Sequence, residues 1–257
     1  MEFTEIKIGK SKEMPAKMAI YGIPKIGKTA FATSAPDAFV INIEGGLDYL
    51  ENEVRSTPHL KTYDEVFSWL KHIYSSTPEE FTCGTLVIDS LDWLETLAQD
   101  KLIKIHNATS ITDPKVAAFG YYKGVIEAAS MAMDLFKWLD AIYKQKGIKS
   151  ISIAHCQTKE IDLPNKDAFT RYQLKMSKYL SAKLMEWADL ILFADYDFYV
   201  SEDGKTSDPK RVLRTGGDAS FEGGGRMHLP KVLPLNYKEL ELELTKTKTK
   251  TTTTKGE

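Results

Sequence analysis

Cysteine is scarce in this chain: Cys83 and Cys156 are the only two in 257 residues. Two cannot make a disulfide framework, and their separation fits no metal-binding spacing, which points to a reducing cytoplasm. No apolar run approaches the ~18–20 residues that span a bilayer. Met1 to Lys12 is polar and mixed in charge, without the apolar centre of a secretory signal. Net charge is almost absent too: 34 Lys and Arg against 36 Asp and Glu leave −2. The global field therefore does not draw in a polyanion, and any nucleic-acid contact must come from local patches. There is no internal repeat. What is left is an ordinary globular composition, 42% hydrophobic and 27% charged, with length enough for one α/β domain and a substantial core.

Against that background one stretch stands out. Met18 to Tyr21 is apolar and strand-like, and Gly22-Ile23-Pro24-Lys25-Ile26-Gly27-Lys28-Thr29 follows it, then Ala30 and a helical pattern. This is G-x-x-x-x-G-K-T, a phosphate-binding loop in its strand–loop–helix setting. Gly22 and Gly27 let the backbone double back and present a row of N–H groups to an anion. Lys28 is placed to reach β- and γ-phosphates, and the Thr29 hydroxyl to ligate Mg²⁺. Residues 22–30 are thus the expected ATP-binding segment.

The rest of the chain alternates strand and helix. Ala38 to Ile43 is an apolar run as expected of a strand buried on both faces. Thr62 and Glu65 have capping-box spacing and open a helix to about Tyr74. Thr85 to Asp89 is a further buried strand, and a helix follows from Ser90 to His106. Residues 107–120 read as a loop. A long helix runs from about Tyr121 to Lys146 and stops at Gly147. Lys149 to His155 is a strand, 157–172 a second polar loop, and Leu174 to Trp187 a helix. Leu190 to Ala194 is a strand, paired through a turn at Asp203-Gly204 with Arg211 to Arg214. The expected fold is a mainly parallel sheet flanked by helices, closed by an antiparallel hairpin. Residues 1–14 form a lead-in with an edge strand around Phe3 to Ile8, 15–243 the folded domain, and 244–257, rich in Thr and Lys, a disordered tail.

Two carboxylates complete the chemistry. Asp89 ends its strand 61 residues after Lys28, where a Walker B acid would hold Mg²⁺ beside Thr29; the alternative is an Asp that caps the next helix. Glu44 closes the strand after the phosphate-loop helix, where it could activate the water attacking a γ-phosphate. It could equally be a plain loop carboxylate, or the acceptor-side base of a small-molecule kinase. Asp48 is a weaker candidate for the same task.

Phe39 to Asp48 resembles the segment of RecA-type recombinases that ends in their catalytic glutamate. Thr85 to Leu91 resembles their Walker B strand, and Ile151 to His155 with Cys156-Gln157 the strand that carries their γ-phosphate sensor. The chain is similar as a whole, over about residues 15–235, to the RecA-like P-loop ATPases of bacteriophages that act in single-strand annealing and recombination. That resemblance implies a RecA-like core, ATP with Mg²⁺, single-stranded DNA as partner, and a homo-oligomer, ring or filament, in the host cytoplasm. It also implies a single-strand-binding or other replication protein as a further partner.

By the resemblance His155 is the sensor, with Gln157 second; the alternative for His155 is a strand-end histidine bonded to a carbonyl. The two polar loops fall where RecA-like proteins contact DNA. The first carries Lys115, Phe119, Tyr121, Tyr122 and Lys123, the second Lys159, Lys166, Phe169, Arg171 and Tyr172. Cations beside aromatic rings suit single strands, by tracking phosphates and stacking on bases. From Thr158 to Lys183 there are six Lys and Arg against three Asp and Glu. Glu222 to Pro230 resembles the segment that supplies a finger in trans, which falls here to Arg226, with Arg214 as the other candidate; a surface ion pair is the alternative for both. Two rival functions remain: a nucleotide-gated adaptor, such as a helicase loader or packaging factor, and a small-molecule phosphotransferase.

Overall fold

The computed structural model describes residues 15–50, 53–164, 166–198 and 208–253. In chain order the elements are β1 (Lys17–Gly22), α1 (Lys28–Thr33), β2 (Ala38–Asn42), β3 (Arg55–Ser56), α2 (Tyr63–Ser75), β4 (Thr85–Asp89), α3 (Leu91–Ile105), α4 (Lys123–Lys146), β5 (Lys149–Leu163), β6 (Lys166–Leu174), α5 (Lys178–Trp187), β7 (Leu190–Asp197), β8 (Lys210–Arg214), β9 (Gly224–Gly225), β10 (Val232–Pro234) and α6 (Tyr237–Thr253). The lead-in with its edge strand and the Asp203-Gly204 turn lie outside the described residues.

The sheet order is β10-β8-β7-β1-β5-β4-β2-β3. From β7 to β3 every pairing is parallel, and β8 and β10 run antiparallel at the end. Alternation along β1 explains its unbroken apolarity. Ala19 and Tyr21 join the core under α2, α3, α4 and α5, while Met18 and Ile20 join the core under α1 and α6. Thr62 and Glu65 form the expected capping box on α2, which turns Val66, Leu70 and Ile73 inward. Such a cap stabilises a helix by about 1 kcal/mol. Gly147, at φ 72°, ends α4.

Three expectations are corrected. Residues 157–172 are not a loop: β5 runs on past His155 and pairs antiparallel with β6, with Thr158 opposite Tyr172 and Lys159 opposite Arg171. The ribbon is largely exposed and so lacks an apolar alternation, but Thr158, Ile161, Phe169, Thr170 and Tyr172 favour extended backbone. α4 starts at Lys123 and not Tyr121, because Tyr121 and Tyr122 sit at φ 53° and 62°, after a 3-10 turn over Ala117–Tyr122. α5 starts at Lys178 and not Leu174, where the Ser177 hydroxyl accepts the Leu180 N–H. The C-terminal segment also differs from its composition. α6 reaches Thr253, and Tyr237, Leu240 and Leu244 are buried in the core beneath α1. Helical spacing of those three gives α6 its buried face.

Candidate nucleotide site

The C-terminal ends of β1, β2 and β4 converge on one edge of the sheet, beside His155 midway along β5. β5 lies between β1 and β4, with His155 level with Gly22 and Ile153 level with Asp89. This interposed strand brings His155 between the phosphate loop and the acidic residues.

The phosphate loop is closely constrained. A Cβ on Gly22 would lie 2.3 Å from the carbonyl oxygen of Ala194 on β7, so no side chain fits there. Gly27 takes φ 110°, a left-handed conformation that favours glycine. Lys28 is buried, and its ammonium donates to the carbonyls of Gly22 at 3.0 Å and Ile23 at 2.9 Å. Burial pushes its pKa down, against the pull of the Glu44 and Asp89 carboxylates.

Asp89 is bound to the loop from the other side. Thr29 Oγ1 donates to Asp89 Oδ2 at 2.7 Å. Burial raises the Asp89 carboxyl to about 6, opposed by the Thr29 bond and reinforced by Glu44. Its second oxygen, Oδ1, is buried without a hydrogen-bond partner. Asp89 does not cap α3; Ser90 occupies the N-cap position. A buried carboxylate oxygen without a donor, next to a hydroxyl, fits a hard cation. Thr29 and Asp89 are the residues that would hold Mg²⁺, which would supply positive charge beside the phosphate loop. Among the described residues no group of three His, Cys, Asp or Glu gathers to hold a metal by itself.

Glu44 follows β2, where its backbone N–H and that of Ile43 donate to the Asp89 carbonyl at 2.9 and 2.8 Å. Gly45, at φ 87°, turns the chain away, with the His59 ring 2.9–3.1 Å from where its Cβ would be. Glu44 Oε1 lies 3.5 Å from His155 Nε2. On the opposite side of the ring, His155 Nδ1 is 3.0 Å from Asp92 Oδ2, and the His155 N–H donates to Asp92 Oδ1 at 3.1 Å. The Asp92 bond raises the pKa of His155, more than burial lowers it. Burial alone would raise Asp92, but its bonds to His155 outweigh that and hold its carboxyl low. His155 is therefore a carboxylate-bound imidazole, not one bonded to a carbonyl.

The structure thus gathers Gly22 to Ala30, Glu44, Asp89 and His155. It does not gather the others. Gln157 donates to the Leu174 carbonyl at the base of the β5–β6 ribbon, and Asp48 is exposed on a 3-10 turn. Arg226 is 72% exposed and 3.5 Å from Asp189, which accepts the N–H groups of Ala16 and Lys17 at the opposite sheet edge. Arg214 is engaged within its own chain by Asp195 at 2.8 Å and Asp197 at 3.4 Å. Sequence reasoning missed Asp92, whose signal is a carboxylate in the first turn of α3. It also missed Arg211, which no motif marks: its Nη1 is 3.5 Å from the Cβ position of Gly27.

The expected DNA-contact residues divide into two groups. Phe119 is a core residue against the His106 ring, whereas Tyr121 and Tyr122 are 95% and 70% exposed. Lys159 is exposed, but Arg171 Nη2 donates to the carbonyls of Asp218 and Phe221, and Tyr172 packs on Phe193.

A family model described as an AAA domain matches residues 14–227. The chain belongs to the AAA domain family. As an AAA domain it is a P-loop NTPase, a nucleotide-binding protein of the ATPase type. No curated protein matches its sequence. Among the described residues of this AAA domain, no helix is long and apolar enough to cross a membrane.

Proposed function

We propose that this AAA domain is a Mg²⁺-dependent ATPase that binds single-stranded DNA and serves recombination, annealing or replication, as do the RecA-like bacteriophage ATPases it resembles. ATP lies with its phosphates on residues 22–30. Lys28 exchanges its two carbonyl partners for β- and γ-phosphate oxygens. Thr29 and Asp89 would hold Mg²⁺, whose charge would offset that of the phosphates, and Glu44 takes the proton of the attacking water. His155, held by Asp92, positions Glu44.

The observation that carries the DNA reading is the continuity of β5. The strand passes through His155 and runs on to Leu163 in an exposed ribbon that carries Lys159. A polyanion on the ribbon then acts on the residue beside the catalytic carboxylate. Assembly into a ring or filament adds several such patches together and overcomes the lack of net positive charge. In that assembly the exposed Arg226 reaches a neighbour's γ-phosphate, and a single-strand-binding or other replication protein is the expected partner.

The inward commitment of Arg171 favours a second reading, a nucleotide-gated adaptor such as a helicase loader or packaging factor. Steady-state ATP hydrolysis with and without single-stranded DNA separates the two. Stimulation by DNA that is lost in Lys28→Ala supports the recombination reading. Hydrolysis indifferent to DNA supports the adaptor, and turnover unchanged in Lys28→Ala removes the phosphate-loop assignment itself.

A further inference from the structure

Beside the phosphate loop, the flank of α1 forms one wall of a separate recess. A cleft of about 170 Å³ lies between Gly27, Ala30 and Ser34 on one side and Arg211, Leu235 and Asn236 on the other. The far wall comes right up to the loop. A Cβ on Gly27 would lie 3.5 Å from Arg211 Nη1 and 3.7 Å from Leu235 Cδ2. That wall is firmly built: the Leu235 N–H donates to the Arg211 carbonyl at 3.2 Å, and Asn236 Oδ1 accepts the Lys238 N–H at 2.9 Å. Behind it the buried Tyr237 ring sits 5.7 Å from that of Phe31 on α1. The family match ends at residue 227. β10, α6 and the turn between them, which supply Leu235 and Asn236, lie beyond it.

We infer that this cleft holds the purine base of the nucleotide, with the Arg211 guanidinium on the ring face and the Asn236 amide at the ring edge. The assignment rests on the reading of residues 22–30 as the phosphate site. Size supports it, because the cleft is smaller than the ~300 Å³ at the low end of whole-ligand pockets and suits a single ring system. Position supports it, because the cleft begins at Gly27, within the loop that takes the phosphates. Chemistry supports it as well. Ala30 and Leu235 give apolar contact, Arg211 a planar cation suited to a π-face, and Asn236 a donor. With Asn236 Oδ1 tied to Lys238, the amide group left for a ligand is the NH₂, which matches a ring nitrogen or carbonyl acceptor. The C-terminal segment is thereby part of the nucleotide site, and bound nucleotide strengthens the docking of α6.

Calorimetric titration of the full chain with MgATP and with Mg²⁺-tripolyphosphate, which has the phosphates and no base, tests this. Arg211→Ala should weaken MgATP about tenfold, equivalent to ~1.4 kcal/mol, and leave tripolyphosphate unchanged. Ser34→Tyr fills the cleft from an exposed position and should exclude MgATP while tripolyphosphate still binds. Equal weakening of both ligands by Arg211→Ala would make Arg211 a phosphate ligand and overturn the base assignment. Unchanged MgATP affinity in either variant overturns it too. Failure of the underlying phosphate reading looks different, since neither ligand would then bind the unaltered chain.

Discussion

His155 Nε2 lies 3.5 Å from Glu44 Oε1, and the same ring is fixed from behind by the 3.0 Å contact between Nδ1 and Asp92 Oδ2. If Glu44 is the catalytic base proposed above, the order Asp92–His155–Glu44 makes Asp92 a positioning residue that acts through the imidazole. Asp92→Asn removes the first cause of the raised His155 pKa. The titration midpoint of His155 should fall, and kcat should fall about tenfold with KM little changed, its pH profile moving with His155. NMR titration of the imidazole together with steady-state kinetics checks this. A loss of stability with His155 titrating as before would reduce Asp92 to an anchor for α3.

Glu44→Gln keeps the shape of the side chain and removes its basicity. Nucleotide binding should persist, and hydrolysis should drop about 10²–10⁴-fold. Binding titrations beside turnover measurements decide it, and turnover at the original rate would place the base elsewhere.

Asp89 links stability to pH. Its folded pKa, raised to about 6 by burial, lies above that of the unfolded chain. The folded state therefore binds the proton more tightly. The associated stability is fully present below the unfolded value of 3.8 and is lost as pH rises through about 6. Asp89→Asn should accordingly raise Tm at neutral pH, by about 2–4 °C per kcal/mol relieved, while weakening Mg²⁺-dependent nucleotide binding. In the unaltered chain that binding should decline as pH falls through about 6, when the carboxylate takes up its proton. Thermal melts and MgATP titrations across that range give both signs, and a variant with lower Tm at neutral pH contradicts the account.

Gly22→Ala puts a methyl group 2.3 Å from the Ala194 carbonyl, in the backbone of a central strand that cannot yield. Overpacking of this kind costs about 1–3 kcal/mol, and the loop should lose nucleotide affinity at the same time. Chemical denaturation measures the first effect and titration the second.

Arg171 and Lys159 stand opposite each other on the ribbon, yet only Arg171 is bonded into the body of the protein. Arg171→Ala should lower Tm. Lys159→Ala should leave Tm unchanged and weaken single-strand binding, with a shallower salt dependence. Equal DNA affinity in Lys159→Ala and the unaltered chain would take the ribbon out of the interface.

The sequence by itself determined what depends on neighbours along the chain. The phosphate loop, the acids closing β2 and β4, the capping box at Thr62 and Glu65 and the run of buried parallel strands are local patterns, and each reads without a partner. Strand order decided the remainder. Only the placement of β5 between β1 and β4 shows that His155 meets Glu44 and that Asp92, 63 residues away in sequence, holds it. The polar ribbon read as a loop because its pairing partner, not an apolar stripe, makes it a strand. Arg211 and Asn236 carried no signal, since β8 and the turn between β10 and α6 come beside α1 only in the folded chain. Contacts between segments distant in sequence are set by packing of two cores on one sheet, and no local pattern encodes them.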